Sequence, residues 1–86
     1  KVVSYTGDTA WTKHVPKISK DADLFICESY FYEKPIRFHI NYPDVKKHWE
    51  EFQAKRTVLT HMSSEMLAMV DKIPEECAYD GFVVKI

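Results

Sequence analysis

Three side chains able to hold a metal ion or move a proton stand directly after short apolar runs. Asp8 follows Val2-Val3-Ser4-Tyr5-Thr6, Glu28 closes Leu24-Phe25-Ile26-Cys27, and His61 follows Thr57-Val58-Leu59-Thr60. If these runs are strands of one α/β sheet, all three groups fall at strand C-termini, the edge where ligands and catalytic groups collect on a rigid scaffold. Taken singly, each has a plainer explanation. Asp8 in Gly-Asp-Thr suits a turn or helix cap, Glu28 a solvated strand end, and His61 a loop histidine.

The intervening residues must then place those strands side by side. Val2 to Thr6 is β-branched and aromatic and runs into Gly7-Asp8, which reads as strand into turn. Trp11, Val15 and Ile18 have the spacing of a helical stripe, with Pro16 requiring that the helix be short or start nearby. The continuous run 24–27 suits a strand buried on both faces. Residues 29–43 lack a clean period and carry Tyr30, Phe31, Tyr32, Phe38 and Tyr42, so a long loop with packed aromatic anchors is expected. A helix is predicted from Asp44 to about Lys55, with Val45, Trp49 and Phe52 inward. Ser63 is a candidate N-cap for a helix whose apolar face is Met66, Leu67, Val70 and Ile73, stopped by Pro74. Residues 77–79 and 82–86 are expected to pair as a hairpin across Asp80-Gly81, a type I′ turn signal. The sum is an alternating α/β pattern ending in a β-hairpin.

Composition narrows the function classes. A hydrophobic fraction of 45%, with 14% aromatic residues over 86 residues, is that of a folded unit and not of a disordered one. A net charge of −1 gives no basic footprint for nucleic acid or an anionic membrane. No apolar run reaches the ~20 residues of a membrane span, and no secretory signal opens the chain, so a cytoplasmic location with no membrane partner is expected. Cys27 and Cys77 show no CxxC or CxxH spacing and read as buried free thiols. His14 and His48 read as surface or half-packed, and the methionines 62, 66 and 69 as core or core-edge residues.

Four blocks taken together are more specific. Tyr5-Thr6-Gly7-Asp8-Thr9, Ala22-Asp23-Leu24-Phe25-Ile26-Cys27-Glu28-Ser29-Tyr30-Phe31, Val58-Leu59-Thr60-His61-Met62-Ser63 and Ala78-Tyr79-Asp80-Gly81 follow one another along nearly the whole chain. In order and spacing they resemble the last third of the metallo-β-lactamase superfamily, closest to the branch of ribonuclease Z and related phosphodiesterases. The resemblance implies that residues 1–86 are the C-terminal portion of one αββα sandwich domain. Asp8 matches the aspartate that bridges two metal ions, and His61 the last histidine ligand. Glu28 and His39 are similar to the acid/base pair beside the metals.

The cofactors implied are two divalent ions, zinc foremost and manganese as the alternative, and the reaction is hydrolysis by a metal-activated water. A small-molecule or nucleic-acid phosphodiester is the implied substrate, with a lactone or other ester as the alternative, and a homodimer is compatible with the resemblance. The block around Glu28 reads Cys-Glu-Ser-Tyr-Phe where the family has His-Glu-Ala-Thr-Phe, and Ile-Asn follows His39 where the family has Ser-Thr. The superfamily's His-x-His-x-Asp-His motif is missing from these residues. The abrupt opening at strand pitch leads to the expectation that the N-terminal half, with most ligands, lies upstream. The reading from another class is a non-catalytic α/β interaction domain that docks through its aromatic loop.

Overall fold

The structure, a computed structural model, describes residues 1–7, 10–33 and 39–78. Its elements are β1 (Val3–Tyr5), α1 (His14–Ser19), β2 (Leu24–Glu28), α2 (Tyr42–His48), β3 (Thr57–Thr60) and α3 (Ser64–Leu67). Single 3₁₀ turns cover Trp49–Glu51 and Val70–Lys72. The strands form one three-stranded parallel sheet in the order β1-β2-β3. Parallel neighbours cannot be joined by a tight turn. Here α1 lies in the connection from β1 to β2, and α2 in that from β2 to β3. This is a small α/β unit, and no helix among the described residues is long and apolar enough to cross a membrane.

The central strand carries the core. In β2, Leu24, Phe25, Cys27 and Glu28 are buried, as the unbroken apolar run predicts for a strand covered on both faces. Around Phe25 and Cys27 pack Val15, Ile40, Tyr42, Val45, Leu59 and Met66. Among the described residues β1 lies at one edge of the sheet, where Val3 and Tyr5 are exposed, as is Val2 just before the strand.

Each helix departs from its sequence pattern for a local reason. In α1 the inward pair is Val15 and Ser19, whereas Trp11 precedes the helix and Ile18 is exposed. The start at His14 puts Pro16 in the first turn, where a missing N–H costs nothing. Helix α2 begins two residues earlier than Asp44. Asn41 is its N-cap, Pro43 lies in the first turn, and the Asp44 carboxylate accepts the Asn41 N–H at 3.1 Å. It also ends well before Lys55. The Gln53 N–H donates to Ser19 Oγ at 3.1 Å and the Lys55 N–H to the Ala22 carbonyl at 2.9 Å, so these amides serve the α1–β2 connection instead of a continued helix.

Ser63 does cap α3, its Oγ accepting the Met66 N–H at 3.2 Å. Met66 is fully buried, but the helix is one turn, Leu67 is exposed, and Val70 and Ile73 are half-covered. The long amphipathic helix is therefore two short turns; of its expected face, Met66 is buried in the core and Ile73 packs against it from beyond the second turn. Of the expected hairpin, Cys77 makes a parallel bridge to Leu59. Residues 79–86, with the Asp80-Gly81 turn, lie outside the described residues. Both cysteines are free; Cys27 is buried as expected, whereas Cys77 is only partly so.

Candidate functional site at the C-terminal edge of the sheet

Because β2 and β3 are parallel and Glu28 pairs with Thr60, the C-termini of the two strands lie side by side. Thr6, just beyond β1, reaches the same edge, where its Oγ1 accepts the Glu28 N–H at 3.1 Å. The Glu28 side chain is completely buried, which overturns the reading of a solvated strand end. A buried carboxylate must be answered by donors. Oε1 lies 2.6 Å from His39 Nδ1, and Oε2 accepts the Ile40 N–H at 3.0 Å. Two consecutive residues of the connection between β2 and α2 thus seat on one carboxylate.

A carboxylate accepts and does not donate, so the His39 Nδ1 facing it carries the proton and Nε2 is the nitrogen available for transfer. The His39 side chain keeps 27% of its surface exposed while its partner keeps none. That combination of an anchored base and an accessible imidazole is the geometry a proton donor needs.

His61 follows β3 with φ of 54°, a left-handed conformation uncommon outside glycine and asparagine. Its Nε2 lies 3.6 Å from Glu28 Oε1, and its side chain is 40% exposed. The ring centroids of His39 and His61 are 5.7 Å apart with planes 21° from parallel. Glu28, His39 and His61 each offer a ligand atom within 4.8 Å of the others.

One carboxylate and two imidazoles are donors that suit a divalent cation such as zinc. Their spacing divides the roles. Two atoms bound to one tetrahedral zinc at ~2.0–2.1 Å stand roughly 3.3 Å apart. His39 and Glu28 at 2.6 Å are therefore bonded to each other. His61 Nε2, at 3.6 Å from the same Glu28 oxygen, is too far for a hydrogen bond to it and leaves the carboxylate to His39. Cys27 does not join the donor set: burial, followed by the charges of Glu28 and Asp44, pushes its thiol up to about 12, well away from a thiolate ligand or nucleophile.

Of the four residues singled out in the sequence, Glu28, His39 and His61 are brought together, and Asp8 lies outside the described residues. Tyr30 was missed. Its ring stacks on both imidazoles, and the available signal was an aromatic residue two positions beyond the carboxylate. His48 closes α2, stacks on Trp11 and pairs with Glu51, while His14 is exposed at the start of α1. An open groove of about 480 Å³ lined by Lys46, Lys47, Trp49, Glu50, Glu51 and Glu75 shares no residue with this cluster. No family model matches the chain, and no curated protein matches it.

Proposed function

We propose that this chain is the C-terminal part of a metallo-β-lactamase-fold hydrolase that cleaves phosphodiesters. The observation that supports it is the buried Glu28 carboxylate holding His39 Nδ1 at 2.6 Å beside His61, at the C-terminal edge of a parallel sheet. The exposed apolar side chains of the β1 edge suit a surface that further strands of the domain cover.

In this reading His39 is the general acid. Its Nδ1–H stays on Glu28, which anchors one point of the ring and leaves Nε2 to face the substrate. As water adds to phosphorus and the bond to the leaving oxygen breaks, that oxygen takes the electron pair and the proton from His39 Nε2. Glu28 transfers no proton itself and acts as the orienting group. Asp8 and His61, with ligands from outside residues 1–86, would hold two divalent ions, which supply Lewis acidity and an acidified water.

The test is hydrolysis of a panel of phosphodiesters, lactones and simple esters by the full-length protein, with metal content measured in parallel. The reading expects turnover of phosphodiesters, about two zinc or manganese ions per chain, and loss of both in Asp8→Ala. Lactone turnover without phosphodiester turnover would move the substrate class. A protein that binds no metal and turns over none of the three would favour the interaction domain.

A further inference from the structure

Tyr30 stands between the two loops that carry the imidazoles. Its N–H donates to the Ile40 carbonyl at 2.9 Å, next to His39, and its carbonyl accepts the Ser63 N–H at 2.8 Å, two residues past His61. The ring lies 4.4 Å from the His39 ring with planes 16° from parallel, and 5.5 Å from the His61 ring at 29°. Phe31 meets it edge-on at 4.7 Å.

One hydrogen bond at Nδ1 fixes a point of the His39 ring but not its plane, because the terminal torsion of histidine is broad. A flat aromatic face supplies the missing constraint, its centroid 4.4 Å from one imidazole and 5.5 Å from the other, at the near limit of and within the ~4.5–7 Å range where stacked rings attract. We propose that Tyr30 is a positioning residue that sets the planes of both imidazoles, aiming His39 Nε2 at the leaving oxygen and His61 Nε2 at its ligand position. The inference rests on the acid role of His39 argued above. Its physical basis is that misplacing a reacting group by about 1 Å can cost roughly 10²-fold in rate. The phenol hydroxyl has no part in it; the ring face does.

The test compares Tyr30→Phe, Tyr30→Leu and His39→Ala in the full-length protein. One arm is NMR of the histidine ring protons. The other is kcat and KM on an alkyl phosphodiester and on a p-nitrophenyl one. Wild type and Tyr30→Phe should both show upfield-shifted ring protons on His39 and His61, and equal rates.

Tyr30→Leu should lose those shifts and lower kcat about 10- to 100-fold on the alkyl substrate, with KM steady and a smaller loss on the p-nitrophenyl substrate. Unchanged shifts and kcat in Tyr30→Leu, or an equal loss in Tyr30→Phe, would overturn the proposal. If Tyr30→Leu does not fold, through-space contacts in the wild-type protein between the Tyr30 ring and both imidazoles decide the matter, and their absence overturns it. Failure of the acid role shows separately, as a His39→Ala variant whose losses do not depend on the leaving group.

Discussion

Glu28 and His39 lie eleven positions apart in the chain and meet at 2.6 Å, with the Ile40 amide closing on the second oxygen of the same carboxylate. The contact is made by two consecutive residues of the connection between β2 and α2, so the carboxylate itself sets where residues 39 and 40 come to rest. One buried group therefore serves both the fold and the proposed chemistry.

That double duty predicts a stability cost for Glu28→Gln. The amide keeps the volume and one acceptor oxygen, but presents an NH₂ to either His39 or the Ile40 N–H. A buried donor left without an acceptor costs roughly 1–3 kcal/mol. Urea unfolding should show a midpoint lowered accordingly with an unchanged slope. A midpoint equal to wild type would mean the carboxylate is not the anchor of the connection.

His61 should behave in the opposite way. Its φ of 54° suits asparagine, which tolerates the left-handed region better than most residues. His61→Asn is expected to leave stability within about 0.5 kcal/mol, as for a surface substitution, while lowering bound metal in the full-length protein. Metal analysis beside a thermal melt checks both halves. Retained metal at full stoichiometry would remove His61 from the ligand set.

The acid limb of stability should trace to two carboxylates remote from the site. Asp23 is held below the usual carboxylate range first by the Val2 N–H at 2.8 Å and then by Lys55, and Glu76 by its hydrogen bonds from Arg56. Both folded values are depressed, so the unfolded chain takes up protons first. The stabilisation is complete above the unfolded values near 4 and is lost as pH falls through the folded ones. Melts from pH 6 to pH 2 should show a flatter acid limb in an Asp23→Asn, Glu76→Gln variant, and a weaker contrast in high salt. Identical limbs would place the acid sensitivity elsewhere.

The sheet was legible because its strands are the three β-branched and apolar runs, and their period-free character in 24–27 matches a doubly covered strand. So was the Ser63 cap, a purely local bond. The end of α2 was not, because tertiary amide bonds from residues 53 and 55 to Ser19 and Ala22 override the helical stripe. The burial of Glu28 was hidden for a similar reason: a charged residue closing a strand looks solvated until the distant His39 and Ile40 supply its donors. Tyr30 escaped notice because aromatic residues in a loop normally signal packing, and stacking on two imidazoles depends on the convergence of three segments.

The proton-donor role of His39 is tested most directly by leaving-group dependence in the full-length protein. Alkoxide needs a proton to depart, whereas p-nitrophenolate does not. His39→Ala is predicted to keep its metal and to lose roughly 10²–10⁴-fold in rate on an alkyl phosphodiester, with much of that rate restored on a p-nitrophenyl one. Equal losses on both substrates, or loss of metal along with the rate, would contradict it.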